Sequence, residues 1–216
     1  MLAGALACTL LLVRDIDRHF PVDLDQPPGM VTHLRLKAWA GNPAPCLEAL
    51  TRAGVVWTRA PDRDTGTGCG FNDAVTRRTG PIDYGGTVLL TCPAMAALVL
   101  WERHSVLPAS EAILGSPVRS IAQAGTYACR NVNHRAEGRR SQHAGANAID
   151  ISAFRLADGR RITLSGHWRD EGAAGDFLRA VRDGACRPFA AVLSPDYNAA
   201  HADHFHLDMG RWQVCR

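Results

Sequence analysis

The chain lacks several features, and each absence excludes a class of protein. No stretch of its 216 residues offers the roughly 18 consecutive apolar positions that a membrane-spanning helix needs, which excludes a multi-spanning membrane protein. Charge of one sign is scarce: Lys and Arg number 24 against 21 Asp and Glu, a surplus of +3. No basic run exceeds the pairs Arg77–Arg78, Arg139–Arg140 and Arg160–Arg161, so nucleic acid is not an expected partner and these pairs read as solvated surface. There is no internal repeat, no low-complexity tract and no Cys-x-x-Cys. Repeat architectures, disordered chains and most cysteine metal sites are thereby set aside. What remains is 46% hydrophobic and 21% charged, the composition of one globular domain with at most a small helper lobe.

The first 13 residues, MLAGALACTLLLV, are uncharged and almost wholly apolar, and Arg14, Asp15 and Arg18 follow. Residues 1–17 read as an N-terminal hydrophobic anchor or signal segment, with an uncleaved membrane anchor as the better reading. Cys8 resembles a lipidation cysteine, but Ala5 stands where that signal usually has Leu. Setting Cys8 aside leaves Cys46, Cys69, Cys92, Cys129, Cys186 and Cys215. An even count behind an export-like segment implies disulfides in an oxidising compartment. Six cysteines allow fifteen pairings. The expectation is sequential pairing, each neighbouring pair bracketing one structural unit.

Residues 18–30, rich in Pro and Asp, read as a linker. The domain proper is expected over 31–216, with a helical support region at 31–115 and a core at 116–216. Asn42 is the expected cap of a first helix, with Pro43 in its first turn and Gly54 past its end. A short strand is expected at Val55–Thr58. Pro93 opens a buried helix running to about His104, apolar nearly all round. Beyond Pro117, Val118–Ile121, Ala148–Phe154, Arg161–Leu164 and His204–Asp208 read as strands, with an Asp158-Gly159 turn between two of them. A further helix is expected over Gly175–Asp183. The fold class is α+β, an antiparallel sheet flanked by helices.

Two clusters carry chemistry. In His201-Ala-Asp203-His204-Phe-His206-Leu-Asp208, strand alternation puts His204, His206 and Asp208 on one face, and Phe205 and Leu207 on the other. In Ser141-Gln-His143-Ala-Gly-Ala-Asn-Ala-Ile-Asp150, small residues allow a tight turn that brings His143 towards Asp150. Two imidazoles and one carboxylate form a three-ligand set of the kind used for catalytic zinc, although such a set holds several divalent ions. The remaining histidines, His19, His33, His104, His134 and His167, have no partner pattern and read as structural or solvated.

The runs SQHAGANAID and HADHFHLD, with Cys46, Gly68-Cys69-Gly70, Cys92, Tyr127-Ala-Cys129-Arg130 and Cys215-Arg216, resemble the bacterial extensin-like C-terminal domain family from about Asp23 onward. That family is similar in its metal motifs to the LAS-type zinc peptidases, among them VanY-like D-Ala-D-Ala carboxypeptidases and murein endopeptidases. The resemblance implies a LAS/Hedgehog-like metallopeptidase core. It also implies Zn2+ on His143, Asp150 and His206, and hydrolysis of amide bonds in peptidoglycan. Asp203 is the expected base and His204 the stabilising group. Arg130 and Ser141 are expected on the substrate side. The implied setting is the periplasm, with the chain anchored in the inner membrane and peptidoglycan as partner. A non-catalytic wall-binding scaffold on the same fold is the alternative. One departure stands out: Ala146 occupies a position where LAS motifs usually have Gly. Gly145 is expected to take over the turn.

Overall fold

In the computed structural model, which describes residues 21–216, the chain opens with two short helices, α1 (Thr32–Ala38) and α2 (Ala44–Arg52). Helix α2 starts directly after Pro43, whose fixed φ suits a first turn, and the chain leaves it through Gly54 at φ +68°. The cap is therefore Pro43 and not Asn42. Five short strands follow: β1 (Thr58–Arg59), β2 (Arg63–Asp64), β3 (Gly70–Phe71), β4 (Ala74–Arg77) and β5 (Val88–Thr91). Strands β1, β4 and β5 form a small antiparallel sheet, while β2 and β3 pair separately. The support region is thus mixed, with strands as well as helices.

The expected buried helix is α3 (Cys92–Trp101), all ten of whose residues are buried. It does not stop near His104. A π-turn over Glu102–Val106 carries it into α4 (Leu107–Leu114), which ends at left-handed Gly115. Pro108 has no N–H to offer and its ring crowds the preceding turn, so the wider π-turn lets the helix continue past it. The same turn supports a buried ion pair: Arg77 of β4 grips the Glu102 carboxylate with both terminal nitrogens, and Tyr84 donates its hydroxyl hydrogen to Glu102 Oε1 at 2.6 Å. Arg77, expected at the solvated surface, is only 4% exposed.

Pro21 to Met30 is also not a free linker. Val22 and Leu24 are buried in the core, Asp25 pairs with Arg103, and His104 Nε2 lies 3.1 Å from the Leu24 carbonyl. Two alternating apolar side chains are enough to lay this segment down. The anchor expected at 1–17, and residues 18–20, lie outside the described residues. Among the described residues no helix is long and apolar enough to cross a membrane.

The second half contributes β6 (Val118–Gln123), β7 (Ala148–Leu156), β8 (Arg161–Thr163), α5 (Leu164–His167), α6 (Ala173–Ala185), β9 (Ala191–Leu193), β10 (Phe205–Asp208) and β11 (Val214–Cys215). These strands form a six-stranded sheet in the order β11-β9-β10-β7-β6, with β8 also on β7. All pairs are antiparallel except β11 with β9. The β7–β8 turn uses Gly159 at φ +90°, as the Asp-Gly pair predicts. Helices α3 and α6 cover this sheet: Trp101 and Phe177 both meet Phe154 of β7 edge-on, and Trp101 donates its indole N–H to the Val181 carbonyl at 2.7 Å.

Three disulfides form among the six cysteines, Cys46–Cys92, Cys69–Cys129 and Cys186–Cys215. Only the last follows the sequential expectation. Cys46 packs against the start of α3 because α2 lies on that helix. Cys69 turns away from Cys46 because the β2–β3 hairpin folds over Tyr127, which Phe71 meets edge-on and Arg63 covers at 5.0 Å.

Candidate metal centre and its groove

Three structural devices converge on one point. Strand register puts Asp150 of β7 directly opposite His206 of β10. His143 enters from a 3-10 turn over Gln142–Gly145, with the Ser141 hydroxyl accepting the His143 backbone N–H at 3.4 Å. That turn is fixed from both sides: Ala128 N–H donates to the His143 carbonyl, and Thr91 N–H to the Ala146 carbonyl. Ala146 itself takes the left-handed conformation, at φ +51° and ψ +33°. The expectation that Gly145 would absorb the turn is overturned, because the backbone reverses one residue later.

The side chains of His143, Asp150 and His206 each present a donor atom within 4.8 Å of the other two, and all three residues are buried. His143 Nε2 lies 3.1 Å from Asp150 Oδ2 and 3.2 Å from His206 Nδ1, and His206 Nδ1 lies 2.9 Å from Asp150 Oδ1. Donors about 2.0–2.1 Å from a tetrahedral ion are themselves separated by a little over 3 Å. The donor set therefore fits a small divalent ion in chemistry and in spacing. Behind it, Asp208 Oδ2 accepts from His206 Nε2 at 2.9 Å, which leaves Nδ1 as the nitrogen facing the cluster. Asp208 Oδ1 accepts the Gly210 N–H at 2.7 Å, so this carboxylate is itself fixed.

Electrostatics follow from the same contacts. Burial alone would raise the Asp150 pKa, but hydrogen bonds and charge from His143 and His206 hold it well below the usual carboxylate range. Burial alone would lower that of His206, yet its bonds to Asp150 and Asp208, with their charges, raise it to about 9. His201 moves the other way, to about 4, through burial and the neighbouring charges of His206 and His204.

A groove of about 640 Å3 is lined by Asp150 and His206 of the triad, while His143 lies buried beneath it. His204 stands at its edge just before β10, with Nε2 3.9 Å from Asp150 Oδ1 and Nδ1 donating to Asp203 Oδ1 at 2.8 Å. Asp203 precedes the strand and its side chain is 74% exposed, so it stands behind His204 relative to the triad. Arg130 reaches to 3.9 Å from Asp150 Oδ2. Ser141 lines the groove, but its hydroxyl is engaged as the cap of the His143 turn. The structure thus gathers His143, Asp150, His206, His204 and Arg130, and sets Asp203 one step back. Sequence reasoning gave no role to Asp208, although i, i+2 spacing in a strand already put it beside His206. It also passed over Tyr197 and Trp212 on the groove wall, which no motif marks. A second cavity, of about 670 Å3, lies beyond the Gln142 turn and contains none of the triad.

Comparison with curated proteins finds no match, and comparison with solved structures finds none either. A family profile described as extensin-like protein C-terminus matches residues 44–216, a span that holds the triad, the groove and all three disulfides. The chain belongs to the extensin-like protein C-terminus family.

Proposed function

We infer that this protein is a zinc-dependent amide hydrolase acting on the stem peptides or cross-links of peptidoglycan, on a LAS-like metallopeptidase core. The observation that carries this reading is the buried His143–Asp150–His206 triad, with Asp208 bonded to His206 and a groove reaching Asp150 and His206. Two imidazoles and a carboxylate suit Zn2+ and leave a position for substrate. Such an ion polarises a scissile carbonyl and brings the pKa of a bound water down to about 7.

The chain's own groups supply the rest. His204 donates through Nδ1 to Asp203, so its Nε2 lone pair faces the triad and is placed to take a proton from the attacking water. Asp203 fixes the orientation of that ring. The order of roles is therefore His204 as base and Asp203 as its orienting partner. His204 then returns the proton to the leaving amine. The Arg130 guanidinium offers paired donors to a substrate carboxylate or to the charge that develops on the carbonyl oxygen. Three disulfides and an apolar N-terminal segment support a place in the cell envelope, in the periplasm and anchored to the inner membrane.

The test is metal content of the purified, oxidised protein beside His206→Ala, followed by digestion of muropeptides. About one zinc per chain, lost in the variant and accompanied by release of stem-peptide fragments, supports the reading. A wild type that stays metal-free after incubation with zinc sinks it and leaves the wall-binding scaffold in its place.

A further inference from the structure

The groove lining includes two aromatic rings that amide chemistry does not use. Trp212 is 58% exposed and Tyr197 45% exposed, and both line the same groove as His204 and His206. Few large apolar side chains in the described residues are that open, and these two are held firmly in place. The Arg211 carbonyl accepts from Lys37 Nζ at 3.2 Å, the Arg211 guanidinium sits 5.2 Å from the Trp212 ring, and Cys215 ties the following strand to α6. Tyr197 meets His201 edge-on at 5.6 Å. Asn133 and Arg139, with planar polar groups, line the same groove. Half-exposed rings, Trp212 with Arg211 over one face, beside planar amide and guanidinium donors match the two aspects of a sugar ring: axial C–H faces that stack, and hydroxyls that accept and donate in the plane.

We propose that Tyr197 and Trp212 form a carbohydrate-stacking platform that holds the glycan strand while its stem peptide enters the groove. The proposal rests on the reading of the groove as facing peptidoglycan, and it adds the sugar moiety to what the site recognises. A substrate held through its glycan would be favoured over the same peptide without sugar, because the platform aligns the amide before reaction.

The test is calorimetric titration of the full chain, in detergent micelles, with peptide-free glycan strands. Binding that weakens about tenfold in Trp212→Ala, weakens in Tyr197→Ala and is largely kept in Trp212→Phe supports the platform, since stacking on one aromatic face accounts for an effect of that size. Both positions are exposed, so the variants fold. A wild type that gives no heat with the strands overturns the proposal, as does binding unchanged by both alanine variants. Hydrolysis of sugar-free stem peptides is measured on the same preparation. Hydrolysis without glycan binding overturns the platform alone. Trp212-dependent glycan binding without hydrolysis supports the platform and overturns the peptidase reading.

Discussion

Asp208→Asn is the most informative single change, because it leaves the candidate triad intact and changes almost no volume. The Asp208 carboxylate accepts two hydrogen bonds, from His206 Nε2 at 2.9 Å and from the Gly210 N–H at 2.7 Å. An asparagine has one acceptor oxygen for these two donors. The Gly210 N–H is fixed by the backbone, so the amide oxygen turns to it and the NH2 group faces His206. Once neutral, the imidazole then does best by accepting at Nε2, which puts its remaining proton on Nδ1, the nitrogen that faces His143 and Asp150. Metal binding must reverse that tautomer and leave two donors opposed. The loss is that of a carboxylate behind a ligating histidine, about 10–100-fold in metal affinity. That corresponds to about 1.4–2.7 kcal/mol. Competition for zinc against a chromophoric chelator at neutral pH reads this directly. Affinity within twofold of a zinc-binding wild type would refute the reasoning. So would a loss matched by an equal fall in metal-free stability, which would mean the amide had turned the other way and left Gly210 unsatisfied.

Four further outcomes are expected. Disulfide mapping by digestion under non-reducing conditions should join Cys46 to Cys92 and Cys69 to Cys129; removing the Cys46–Cys92 bond, whose ends stand 46 positions apart in the sequence, should lower stability by about 4 kcal/mol in chemical denaturation. Ala146→Gly should be nearly neutral, because relief of left-handed strain of about 1–2 kcal/mol offsets the lost methyl and the looser unfolded chain. Ala144→Gly, two residues away in the same turn and without that strain, should be clearly destabilising, and the reverse ordering in urea melts would show that the turn is misassigned. Glu102→Ala should destabilise by about 3–5 kcal/mol, since it strands Arg77 in the core; thermal melts check this. Burial and the Glu102 charge push the Tyr84 phenol well above its ordinary value. Above about pH 10 the unfolded chain therefore gives up a proton that the folded chain keeps, and stability falls as pH rises. Ultraviolet titration should show Tyr84 ionising with unfolding, and Tyr84→Phe should remove that step.

The parts of this protein that could be read in its sequence are those fixed by local rules. Alternation gave β10 its polar and apolar faces, so His206 and Asp208 fell on one side without knowledge of the partner strand. Asp158-Gly159 and Gly54 mark stops that follow from φ alone. The candidate triad was legible through the two motifs that carry the family resemblance, and strand pairing then supplied the opposition of Asp150 and His206. What escaped depends on partners far away in the chain. Arg77 looks like any surface arginine until the π-turn at Pro108 brings Glu102 beneath it. Cys69 has a nearer cysteine in sequence, yet the β2–β3 hairpin carries it to Cys129.

The Asp203–His204 pair shows the same limit at the site itself. From sequence alone the two differ only by strand phase, and an ideal strand running through both would aim Asp203 away from the triad. The strand begins at Phe205, after both residues, so neither is bound by its alternation. A 3-10 turn over Ala199–His201, capped by Asn198, feeds the chain into β10. His204 leaves it with one nitrogen on Asp203 and the other toward Asp150. Asn198 Oδ1 accepts the Ala200 N–H at 3.0 Å and the His201 ring Nδ1–H at 2.8 Å, so it anchors the entry to the strand although it is not part of the candidate triad. The placement of the two candidate bases follows from a strand that starts only at Phe205, with the Asn198 cap at its entry six residues upstream of His204.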